Sequence, residues 1–169
     1  DGDATPLDPL TQGLLGAALA QSAAKPEETR IAAVIGAIAG ISADLDVLIR
    51  SAADPLLTLE YHRHFTHSLL FVPVGAVVVA LLLWPFLRSR ATFGRIYIFA
   101  FLGYALSGVL DACTSYGTHL LWPLSDARIA WNLIAIVDPL FTLVLLAAVL
   151  VALIKRRPHA AWVGLALAG

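Results

Sequence analysis

The sequence predicts an all-α fold, a polytopic transmembrane helical bundle with about four to five membrane segments. Three observations carry that prediction. Of 169 residues, 59% are hydrophobic and 14% charged, against roughly 45–50% and about 25% in soluble domains, and the mean hydropathy is +0.82. Uncharged stretches approach the ~20 residues that a helix needs to cross the hydrocarbon core. No segment alternates apolar and polar residues as barrel strands do. Eleven Lys and Arg against twelve Asp and Glu give a net charge of −1, so the electrostatic footprint of a nucleic-acid binder is missing. The single cysteine, Cys113, excludes an intrachain disulfide.

Residues 1–7 have neither a basic n-region nor a cleavage-site pattern and read as an extraneous leader, not a signal peptide. The domain is expected over residues 8–157. Segments 9–24 and 31–43 are short and rich in Ala and Gly, which fits either short tilted spans or a re-entrant hairpin. Gly36 with Gly40, and Gly13 with Gly16, mark close helix–helix packing. Segment 68–87 is uncharged throughout, and 96–110 reaches spanning length if it continues through Cys113. Segment 132–154 is interrupted only by Asp138. Pro73, Pro85 and Pro139 are expected to kink or end helices locally. Residues 158–169 begin another apolar run, which is expected to continue beyond the last residue.

With the 25–30 turn placed inside, the inside holds eight of the eleven cations: Lys25, Arg30, Arg88, Arg90, Arg95, Lys155, Arg156 and Arg157. This agrees with the positive-inside rule. Ten of the twelve acids and four of the five histidines fall outside, whereas His159 falls on the opposite face. The polar chemistry is therefore expected at the extracytoplasmic face of a bacterial inner membrane.

Three clusters converge there: Asp44 with Asp46, the run His62-Arg-His-Phe-Thr-His67, and the pair Asp111 and Asp138. A helix start at Asn132 puts Asp138 about 9 Å deep. A carboxylate there costs at least ~2.5 kcal/mol unless paired or hydrated, and by default marks a functional site. Carboxylates beside imidazoles suit Zn²⁺ or Mn²⁺, with Mg²⁺ in an oxygen-rich subset. Plainer readings stand beside these. Asp44 could end its helix, Thr66 could cap the third helix, and His64 could face solvent. Arg63 could snorkel to headgroups or clamp an anion. Asp126 and Arg128 could form a solvated pair, and the loop carrying His119 could fold back over the site. Hydrolase elbows, phosphate-binding loops and the His-x-Glu-x-x-His zinc-protease motif are missing. A Cys113 nucleophile is disfavoured by its apolar helix end.

The ordered set Asp8-Pro-Leu-Thr-Gln12, Asp44-Leu-Asp46, His62 to Ser68, Leu110-Asp111 to Gly117, Leu121-Trp-Pro123 and Asp138-Pro139-Leu-Phe resembles the YdjM-type family of bacterial inner-membrane, metal-dependent hydrolases. The likeness runs from about residue 8 to 142 and extends distantly to zinc-dependent phospholipase C and the fungal single-strand-specific zinc nucleases. The resemblance implies that Asp46, His62, His67 and Asp111 are metal ligands, with Asp44 and Asp138 beside them. The chain departs from the family pattern at Gln12 and Ser107, where many relatives carry His; His119, or His64, could compensate.

These readings lead to a membrane-embedded metallohydrolase cleaving a phosphoester of a lipid or lipid-linked substrate by metal-activated water. Asp44 or Asp138 would orient that water and Arg63 would steady the phosphate. Membrane lipids are the expected surroundings, and zinc the first choice of metal before manganese or magnesium. A non-catalytic membrane scaffold with a residual metal site is the main rival. A metal- or proton-coupled transporter using Asp111 and Asp138 as a relay is a third reading.

Overall fold

The computed structural model describes residues 7–48, 64–133 and 139–168. The elements are α1 (Leu7–Ser22), α2 (Thr29–Ser42), a 3₁₀ turn (Ala43–Leu48), a second 3₁₀ turn (Phe65–His67), α3 (Val72–Leu87), α4 (Phe93–Ala105), α5 (Ser107–Ala112), α6 (Pro139–Lys155) and α7 (Pro158–Ala168). The described residues contain no β-strand, only an isolated antiparallel bridge between Thr118 and Ile129. Helices α4 and α5 together make Phe93–Ala112, a 20-residue stretch long and apolar enough to cross a membrane; Val72–Leu87 and Pro139–Lys155 are apolar but shorter.

Helix α1 lies at the centre of the bundle, packed against α2, α4, α6 and α7. Its Ala/Gly composition follows from that position. Nearly every residue from Thr11 to Ala20 is buried, and small side chains allow backbones to approach. Gly16 of α1, Gly36 of α2 and Gly103 of α4 meet at one point; a Cβ on Gly103 would lie 2.5 Å from the Gly36 carbonyl oxygen. One apolar cluster joins α2, α3 and α4 around Ile35, Ile96 and Phe99, and a second joins α1 and α6 around Leu14, Leu15, Leu145 and Val149. The outward faces stay apolar, with Leu82 66% and Leu140 73% exposed, as lipid-facing side chains are.

The Pro73 and Pro139 expectations are refined. Both residues sit in the first turn of their helices, where a missing N–H costs nothing; Pro85 is inside α3. The segment read as helical from Asn132 is not helical at residues 131–133, and the helix described after it is Pro139–Lys155. Asn132 has a left-handed φ of 53°, and the N–H groups of Trp131 and Leu133 donate to the carbonyls of Ala112 and Cys113. Residues 131–133 thus satisfy the open carbonyl end of α5 instead of starting a span. The nine-ångström depth for Asp138 loses its basis, and Asp138 itself lies outside the described residues.

The two ends of the bundle differ in chemistry. At one end the Thr92 hydroxyl caps α4 by accepting from the Arg95 N–H. The Arg95 guanidinium grips Glu28, with Nε to Oε1 at 3.0 Å. That hydrogen bond is the main reason the Glu28 carboxyl lies below its ordinary 4.5, against a smaller upward push from burial. At the other end, roughly 20 Å away along the 14-residue α2, α2 runs into Asp44 and Asp46, α3 begins after His67, and α5 carries Asp111 in its last turn.

Candidate metal centre

His67 is the hub of the polar end. Its ring is fully buried, and both nitrogens face carboxylates. Nε2 lies 2.9 Å from Asp111 Oδ2 and 3.2 Å from Asp44 Oδ1. On the other side, Nδ1 lies 3.0 Å from the Thr66 hydroxyl and 3.5 Å from Asp46 Oδ2. The Thr66 hydroxyl donates to Asp46 Oδ2 at 2.8 Å, so Thr66 braces the carboxylate and does not cap the third helix. Burial opposes charge on the ring, but Asp111, then Asp44 and Asp46, outweigh it and hold the His67 pKa well above its ordinary 6.5.

Backbone geometry delivers these groups. The 3₁₀ turn after α2 has about three residues per turn, so Asp44 and Asp46 leave it in different directions and reach opposite sides of one imidazole. Tyr104 donates to the Thr66 carbonyl at 2.9 Å, tying the His67 turn to α4. Gly108 lets α5 pass against the His67 carbonyl, where any Cβ would collide, and Asp111 follows one turn later. Sequence reasoning missed Tyr104 and Gly108; a glycine one helical turn before a buried acid was the available signal. Gln12 Nε2 donates to Asp111 Oδ1 at 3.0 Å.

Asp44, His67 and Asp111 form a candidate metal-binding triad, whose ligand atoms all lie within 4.8 Å of one another. The donor set of one imidazole nitrogen and carboxylate oxygens fits a divalent ion. Two further features agree. Asp44 Oδ2 and Gln12 Oε1 are buried oxygens with no hydrogen-bond partner among the described residues. Three carboxylates also face a single imidazole, an excess of acid that a divalent cation balances in a buried place.

The sequence-derived residues are distributed as follows. Asp44 stands at Nε2 with Asp111, whereas Asp46, expected as a ligand, stands behind the ring at Nδ1. His62, Arg63 and Asp138 lie outside the described residues. Ser107 turns its hydroxyl away, to the Gly40 carbonyl at 3.4 Å. The 113–133 loop does fold back over this end, the Leu69 N–H donating to the Leu120 carbonyl. His119, however, packs on His64, with ring centroids 4.6 Å apart and Trp122 beside His64, and neither histidine belongs to the triad. Burial, then His64 and Arg128, push the His119 pKa below its ordinary value. Arg128 stacks on the Tyr116 ring at 4.6 Å. Burial raises the Cys113 thiol, which disfavours the thiolate that a nucleophile requires.

A family model described as YdjM inner membrane protein matches residues 7–169. The chain is also similar to the uncharacterized protein YfhP of Bacillus subtilis (strain 168), with 29% identity over 119 residues covering 70% of this chain and 36% of that protein. It therefore spans about a third of that relative's length. No solved structure matches it.

Proposed function

This chain belongs to the YdjM family of inner membrane proteins, and on that premise we propose that it is a multi-pass, metal-dependent hydrolase cleaving a phosphoester of a lipid or lipid-linked substrate. The observation that carries the reading is His67 Nε2 held between Asp111 and Asp44 at 2.9 and 3.2 Å. The cation distribution supports four to five membrane segments with the triad at the extracytoplasmic face, and the distance of Arg95 and Glu28 from the triad along the bundle agrees with that reading.

Asp44, His67 and Asp111 would hold the ion, zinc first and manganese or magnesium next, which would supply Lewis acidity toward a phosphoryl oxygen and lower the pKa of water. Asp46 and Thr66 take the Nδ1 side of the ring, which keeps the Nδ1 proton in place and presents the Nε2 lone pair. Gln12 occupies Asp111 Oδ1 and leaves Oδ2 toward His67. Arg63 is assigned to the substrate phosphate and Asp138 to the attacking water, the roles that their residue types suit. His62 remains a further ligand by family resemblance.

The test is turnover of a phosphodiester by the purified, metal-supplemented chain. Losing an outer-sphere partner typically costs about 10–100-fold, so Asp111→Ala should cost at least that much. Unchanged turnover would overturn the proposal.

The scaffold reading has one specific observation in its favour. Gln12 and Ser107 spend their side chains on hydrogen bonds to Asp111 and to the Gly40 carbonyl, as a site retained only to staple helices would. Gln12→His with Ser107→His distinguishes the two. A large gain of turnover identifies a weakened enzyme, and metal binding without turnover of any phosphoester in either form identifies a staple.

A further inference from the structure

The end of the bundle opposite the triad holds an open cavity of about 540 Å³ between the start of α2 and the turn that follows α3. Its rim is charged and its wall is apolar. Arg30 of α2 and Arg90 of the turn line the rim together with Glu27 and Glu28, and Ile31, Val34 and Leu87 line the wall. The two acids are not equivalent. Glu28 is held by the Arg95 guanidinium and by the Lys25 backbone N–H. Glu27, Arg30 and Arg90 are exposed, and among the described residues their side chains make no hydrogen bond or ion pair. Two guanidinium groups and one carboxylate therefore stand open at the same rim.

The cavity straddles a boundary. Segment 68–87 carries no charge and Arg88 opens the charged turn, which sets the headgroup level near Leu87. On α2, Val34 lies about 6 Å farther toward the middle of the bundle than Arg30, and it is 54% exposed on the apolar outer face. Guanidinium groups at headgroup level, beside an apolar wall that descends into the bilayer, suit a phospholipid. A soluble phosphate ester would leave that wall uncovered. Glu27 narrows the class further. A carboxylate beside the phosphate position repels a headgroup with additional negative charge and attracts one that carries a cation.

We propose that this cavity binds a phospholipid with a primary ammonium headgroup, of the phosphatidylethanolamine type. Arg30 and Arg90 donate to the free phosphate oxygens. Glu27 accepts from the ammonium, and the acyl chains run down past Ile31 and Val34. The lipid bridges α2 to the turn between α3 and α4, at the end of the bundle remote from the metal triad. Its binding is independent of any reaction there.

The test is native mass spectrometry of the full chain, titrated with lipids of matched acyl chains at about 0.15 M ionic strength, where long-range attraction is screened. Phosphatidylethanolamine should bind about two- to fivefold more tightly than phosphatidylglycerol, the worth of one exposed ion pair. Glu27→Gln should remove that preference without loss of phosphatidylglycerol binding. Arg30→Gln combined with Arg90→Gln should weaken both lipids about tenfold. Arg88→Gln removes an exposed cation that does not line the cavity and should change neither. All three variants alter exposed residues and should unfold like the native chain in lipid-free detergent. Equal or tighter binding of phosphatidylglycerol to the native chain, a preference that survives Glu27→Gln, or a loss as large in Arg88→Gln as in the double variant would each overturn the proposal. So would O-phosphoethanolamine competing with the lipid at equal concentration, which would identify a soluble phosphate ester as the occupant.

Discussion

Gln12 donates from Nε2 to Oδ1 of Asp111 at 3.0 Å, joining α1 to the end of α5 through two fully buried side chains 99 positions apart. The contact supplies a donor to a carboxylate that burial would otherwise penalise. Gln12→Leu, similar in bulk and without the amide, should therefore cost about 1–3 kcal/mol in metal-free protein. Thermal unfolding in detergent would register it. The deficit should shrink when zinc is saturating, because ligand binding to the folded state adds its own stabilisation. An unchanged unfolding temperature in metal-free buffer would show that the amide contributes nothing to Asp111.

The Gly108 contact gives a second expectation. A methyl group there meets the His67 carbonyl, so Gly108→Ala should destabilise by about 1–3 kcal/mol through overpacking and weaken zinc binding by moving His67 from Asp111. Gly94 has nothing within 4 Å of a built Cβ. Gly94→Ala should be neutral or gain about 0.4–1 kcal/mol. Paired unfolding and zinc titrations distinguish a local clash from a general intolerance of substitution.

At the far end, the Glu28 carboxyl sits below its ordinary 4.5 because Arg95 hydrogen-bonds it. A depressed carboxyl contributes stability that is complete above its unfolded value and lost as pH falls through its lower folded value. Unfolding temperature should therefore decline from about pH 5 downward, and Glu28→Gln should flatten that part of the profile. An identical acid profile in the variant would assign the loss to other groups.

The helices were legible because hydrocarbon demands long apolar runs, and 9–24, 31–43, 68–87 and 96–110 each contain or overlap an observed helix. The start of α6 was not legible. Asn132 and Leu133 read as the beginning of an apolar run, and only the tertiary pairing of Trp131 and Leu133 with the end of α5 shows that they belong to a loop. At the site, His67 and Asp111 stood out as polar residues flanking spans. The difference between Asp44 and Asp46 depends on how a 3₁₀ turn splays two residues around one ring, which a spacing of two does not encode. Tyr104 and Gly108 were hidden because an aromatic residue and a glycine in an apolar helix look like packing.

The central claim is that Asp44, His67 and Asp111 hold one divalent ion. Anomalous scattering at the zinc edge, from crystals of the full chain grown with zinc, tests it most directly. The account predicts a peak among Asp44, His67 Nε2 and Asp111 that disappears in Asp44→Asn. No peak at saturating zinc, or a peak bound elsewhere and indifferent to Asp44→Asn, would contradict it.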